Sequence, residues 1–140
     1  NFKNYFQAAV FRLPLLGISP MQFNDQTPLA PIAIDSYTAG EIIINQTAYT
    51  QNVQLGDNVA LFAHASPHDL TLADFQAALN AGAEIILIGT GAKQQFLSPK
   101  LAAALSAHGA ALECMTTAAA CRTYALLASE GRKVWAWLWV

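Results

Sequence analysis

The stretch Ile85-Ile-Leu-Ile-Gly-Thr-Gly91 constrains the fold more than any other part of the chain. Four consecutive branched or large apolar residues running into a glycine pair are how a strand buried on both faces of a parallel sheet reads. A parallel neighbour needs a crossover connection, and the next fifty residues supply two. Ser98-Pro99 opens a helix to about Ala107, because proline suits a first helical position, and Gly109 closes it. Ala111 to Met115 reads as the next strand, Thr117 as the cap of a helix reaching about Ser129, and Val134 to Val140 as a terminal strand. Strand, helix, strand, helix, strand at this spacing indicates an α/β layer with at least one parallel crossover.

The half before it is different. Ile32 and Ile34, Glu41 to Ile44, Tyr49 to Val53 and Val59 to Phe62 are short β-type runs, punctuated by Gly40, Asn45 and Gly56-Asp57-Asn58, and they read as a strand meander. After Ser66-Pro67 the period lengthens. Leu70, Leu72, Phe75, Ala78 and Leu79 predict a helix from about Thr71 to Asn80, capped by Thr71 or Asp69 and ended by Gly82. Residues 1–20 show no clean period and are expected to be a leader or appended segment. Met21 to Asp25 would then be the first strand of a single α/β domain over residues 21–140.

Composition narrows the function. Charged residues are 11% of the chain against about 25% in an average protein, and 54% of residues are hydrophobic, so part of the surface is expected to be covered by a protein partner or a second copy. With net charge −2 and seven scattered Lys and Arg there is no basic stripe for nucleic acid. No apolar run approaches the ~20 residues that span a bilayer. Cys114 and Cys121 read as reduced, buried thiols of a cytoplasmic protein.

The candidate ligand site lies where strands give way to helices. Gly89, Thr90 and Gly91 follow one strand and Thr116 and Thr117 another; glycines allow close backbone approach, threonines offer hydroxyls, and Arg122, with Lys93, could hold a small anion. The plainer alternative is that the glycines turn the strand out of the sheet, Thr117 caps its helix and Arg122 pairs with Glu113 or Glu130. Gly-Thr-Gly is neither a dinucleotide fingerprint nor a P-loop, so no cofactor is implied. Cys121 lacks a nearby base to make it a nucleophile. His64 and His68 are separated by Ser66-Pro67 and read as solvated loop residues, not metal ligands. No catalytic signature emerges. Trp135, Trp137 and Trp139 alternate along the terminal strand, so they share one face, which is either core or a partner surface.

Ile34-x-x-Tyr37-x-x-Gly40 with Ile42 and Ile44, Leu87-Ile-Gly-Thr-Gly91, Gln95-Phe-Leu-x-Pro99, Gly109 ahead of Glu113-x-Met115, Thr117-x-Ala-Ala-Cys-Arg-Thr-Tyr124 and Glu130-Gly-Arg132-x-Val134 together resemble domain of unknown function 498. That family includes mitochondrial complex I assembly factor 3, and the resemblance covers about Met21 to Leu138. It implies a single three-layer α/β domain around a central mixed, partly parallel sheet, and a binding or assembly role in place of catalysis. The family usually carries Asp where Thr116 stands, Asn where Ala125 stands and often Gly at Ala118. The missing carboxylate and amide weaken any acid/base proposal here. The leading expectation is therefore a non-enzymatic assembly protein. The alternative is a small-molecule binder or enzyme that holds an anion at Gly89-Thr90-Gly91 and Thr116-Thr117.

Overall fold

Every residue of Ile85–Gly89 is buried, and the two core clusters of the described residues lie on either side of that strand. The computed structural model describes residues 31–140; the expected strand at Met21 to Asp25 and the leader reading of residues 1–20 lie outside the described residues. In chain order the described elements are β1 (Ile34–Thr38), β2 (Glu41–Ile44), β3 (Thr47–Tyr49), β4 (Val53–Leu55) and β5 (Val59–Leu61), then two 3-10 turns, Pro67–Asp69 and Leu72–Phe75. They continue with α1 (Gln76–Asn80), β6 (Ile85–Gly89), α2 (Pro99–Ala107), β7 (Ala111–Met115), α3 (Thr117–Ser129) and β8 (Val134–Leu138).

The meander is divided between two sheets. β1, β2 and β3 form a separate antiparallel sheet, while β4 and β5 join a five-stranded mixed sheet of order β5-β4-β8-β6-β7. The expected strand Tyr49 to Val53 is accordingly split, its first residue closing β3 and its last opening β4. The β2–β3 turn places Asn45 and Gln46 at φ 49° and 69°, the conformation a two-residue hairpin demands. Asp35 accepts the Gln46 N–H at 2.7 Å and so fastens β1 to that turn. A register shift between Ile34 and Ser36 marks a bulge in β1.

β6 pairs in parallel with β7 on one side and β8 on the other. The chain therefore moves one way along the sheet through α2 and back past β6 through α3. Two right-handed crossovers running in opposite directions must lie on opposite faces. They do: α2 contributes Leu105 to one core and α3 contributes Ala120, Cys121 and Tyr124 to the other. The five-stranded sheet is thus the middle of three layers, with α1 and α2 on one face and α3 and the small sheet on the other. The alternation in β8 serves both cores, sending Val134, Ala136 and Leu138 to the α3 side and Trp137 and Trp139 to the α2 side.

Local details differ from expectation in two places. The helix expected from Thr71 to Asn80 begins as a 3-10 turn, because Asp74 takes the Thr71 N–H at 2.8 Å in a tight capping box. At α3 the cap is Thr116, whose hydroxyl accepts the Ala119 N–H, and not Thr117, which is the first helical residue.

Candidate functional site

In a doubly wound sheet the place to look for a ligand is beyond the carboxyl ends of the strands where the winding reverses. Here that point lies between β6 and β8, at Gly89 and Leu138. The structure brings Gly89, Thr90, Gly91, Thr116 and Thr117 together there, and uses their polar groups internally. Thr117 is completely inaccessible; its hydroxyl donates to the Trp139 carbonyl at 2.7 Å and accepts the Gly91 N–H at 2.8 Å. The Thr117 N–H in turn donates to the Gly91 carbonyl, and the Trp139 N–H to the Gly89 carbonyl. A Cβ on Gly89 would stand 2.9 Å from Leu138 and 3.0 Å from Thr117 Cα, so only glycine lets the helix start approach the strand so closely. Gly91, at φ 86°, makes the turn.

Thr90 is spent in the same way. Its hydroxyl lies 2.7 Å from the Lys93 carbonyl and accepts the Gln95 N–H at 3.1 Å, fixing the loop that leads to α2. Gln94 reaches across to the Cys114 carbonyl at 3.0 Å, and Ser98 caps α2 through the Leu101 N–H. This braced loop leaves Phe96 72% exposed, more than the large apolar side chains of Leu126 and Leu61.

Arg122 is not in the strand-end crevice. It lies on the exposed side of α3 and lines a cleft of about 300 Å³ against β1, with Asp35, Tyr37, Ala118, Cys121 and Ala125 among its walls. Neither Glu113 nor Glu130 pairs with it; among the described residues the Lys or Arg ion pair is Arg132 with Glu84 at 2.7 Å, and the Asp74 carboxylate lies 3.0 Å from His64 Nε2. Burial pushes the Cys121 thiol up to about 11, with the Arg122 charge opposing, so at neutral pH it is a protonated thiol and a poor nucleophile. Burial likewise raises the Tyr37 phenol, helped by Cys121 and opposed by the Thr117 side chain. Tyr37 was not among the residues expected at a site. Its only sequence signal is its place three residues after Ile34 in the shared family pattern.

The tryptophans are placed differently from a surface ladder. Trp137 is 2% exposed and meets Phe75 edge-on at 4.8 Å; Trp139 is buried against Phe62 at 4.8 Å and donates its indole N–H to the His64 carbonyl at 3.0 Å. Only Trp135 is half-buried, with its ring over Gly56. The face is interior because β8 is central in its sheet and the 3-10 turns and α1 cover it. His64 likewise differs from a solvated loop histidine, being half-buried and held by Asp74. Among the described residues no three His, Cys, Asp or Glu side chains cluster as metal ligands would, and no helix is long and apolar enough to cross a membrane.

Fold and junction define a small α/β domain of the doubly wound kind whose strand-end crevice is filled from within. A family model described as protein of unknown function (DUF498/DUF598) matches residues 34–139, and the chain belongs to that family. It is 33% identical over 104 residues to the mouse protein named NADH dehydrogenase [ubiquinone] 1 alpha subcomplex assembly factor 3, covering 72% of this chain and 56% of that one. It thus spans little more than half of that relative. The 13 kDa major membrane protein of Francisella tularensis subsp. holarctica is 28% identical, with 81% of this chain and 95% of that one covered. Among solved structures, a Bordetella parapertussis protein superposes with TM-score 0.72 at 35% identity, covering 81% of this chain and 98% of its own.

Proposed function

We propose that this protein is a non-enzymatic binding protein that assists the assembly of a respiratory or other membrane complex from the cytoplasmic side. The observation that carries this reading is the similarity, across most of the described core, to a mouse protein named as a complex I assembly factor. The chemistry of the site supports it. The crevice where an α/β enzyme would hold its substrate is filled by Thr117, and the one thiol near a cation is protonated at neutral pH. Both cysteines are free, which suits a reducing compartment.

In this reading the partner contacts Phe96, not the tryptophans. An exposed aromatic ring on a loop already fixed by Thr90, Gln94 and Ser98 can be buried without the entropy of ordering that loop. The test is copurification from detergent-solubilised native cells with quantitative mass spectrometry, comparing the intact protein with Phe96→Ser. Subunits of a membrane complex that are enriched with the intact protein and lost with the variant support the proposal. No reproducible enrichment of such subunits overturns it.

A further inference from the structure

We propose that the cleft between β1 and α3 binds a small carboxylate with a short apolar tail, the carboxylate held by Arg122. This inference is independent of the assembly reading. The cleft, about 300 Å³, is at the lower end of ligand-site volumes, which limits it to a small molecule. Arg122 has no ion-pair partner among the described residues, so its fork of N–H donors is available for bidentate contact.

The other polar groups around it select the charge. Tyr37 and Cys121 also line the cleft and are neutral at physiological pH, since burial raises both, so neither adds negative charge to it. Asp35 stands on the rim, its carboxylate engaged by the Gln46 N–H. With Asp35 lining the cleft, a phosphate dianion would be repelled there more strongly than a carboxylate monoanion, with the same single guanidinium to attract it. Ile34, Ala118 and Ala125 supply an apolar wall for the tail, and the methyls on α3 keep the cleft open.

The experiment is a titration followed by amide chemical shifts, with hexanoate, hexanamide and inorganic phosphate as probes. Hexanoate is expected to shift resonances of β1 and of the first half of α3. Arg122→Gln, or hexanamide in place of hexanoate, should weaken binding tenfold or more, a change of about 1.4 kcal/mol. Ala125→Phe keeps the charge and fills the cleft, and should abolish the shifts. Both positions are exposed, so unchanged spectra elsewhere verify the fold. Equal binding of hexanamide, a phosphate response as strong as that of hexanoate, retention of hexanoate binding in Arg122→Gln, or no shift with hexanoate at tens of millimolar would each overturn the assignment.

Discussion

The Thr117 hydroxyl stands 2.7 Å from the carbonyl oxygen of Trp139, a donor at the start of α3 tied to an acceptor just past the end of β8. With the Gly91 N–H arriving at 2.8 Å, one side chain closes the gap between the two parallel strands at which the winding reverses. Of the threonine pair that resembles a ligand site in sequence, Thr117 is the seal on that gap and Thr116 the cap of α3.

Thr117→Val keeps the shape and removes the hydroxyl, leaving the Gly91 N–H and the Trp139 carbonyl without this partner. At about 1–3 kcal/mol for each group so stranded, a loss of about 2–6 kcal/mol is expected, and Thr117→Ser should recover most of it. Urea unfolding at neutral pH measures both. A Val variant as stable as the parent would show that the hydroxyl is dispensable.

Gly89→Ala forces a methyl against Leu138 and the backbone of Thr117. The misfit should destabilise by about 1–3 kcal/mol and perturb α3 amide resonances. Gly56→Ala meets the Trp135 ring at 2.6 Å, so it should alter indole fluorescence by displacing that ring.

The two kinds of aromatic residue should separate cleanly. Trp137→Ala is expected to lose about 3–5 kcal/mol, since it empties a site packed by Phe75. Phe96→Ser should leave the unfolding midpoint within about 0.5 kcal/mol of the parent, as exposed positions do. Destabilisation of the Phe96 variant as large as that of the Trp137 variant would contradict the placement of that loop.

Cys121 gives the protein a stability limit in alkali. Its thiol is raised from 9.0 to about 11 in the folded chain, so the folded state holds the proton more tightly than the unfolded one. The contribution is complete below pH 9 and is lost as pH rises from there to 11. Tyr37 and Tyr124, both raised above 10.0, act in the same direction. Unfolding free energy should be flat in this respect up to pH 9 and fall above it, and Cys121→Ala should flatten the first part of the decline. Iodoacetamide at pH 7.5 should label Cys121 far more slowly than it labels the unfolded chain.

How far the sequence leads depends on the range of the interaction. The apolar run of β6, the Ser98-Pro99 start of α2 and the alternation of β8 are local patterns, and each is realised, β8 ending at Leu138, two residues short of the expected Val140. The period of two put the three tryptophans on one face, but nothing nearby in sequence shows that Phe75 and Phe62 cover it. The meander could not be assigned to its sheets because strands of three residues carry no register of their own. Glycines and threonines were legible as neighbours across two strand ends. Their role was not, since the partners of the Thr117 hydroxyl are 22 and 26 residues away. Arg122 was expected beside the threonines, but at about 100° per residue the five positions from Thr117 turn it well away from that residue's direction, and it lines the cleft against β1.

The parallel pairing of β6 also bears on how the chain is made. Ile85 has Ala111 on one side and Val134 on the other, and both are synthesised later. At translation rates of 5–20 residues per second, a strand of four consecutive large apolar residues waits roughly 3–10 s before its second neighbour exists. During that interval both edges of β6 lack the partners that the folded sheet gives them, so completion of the sheet waits on the last strand to be made.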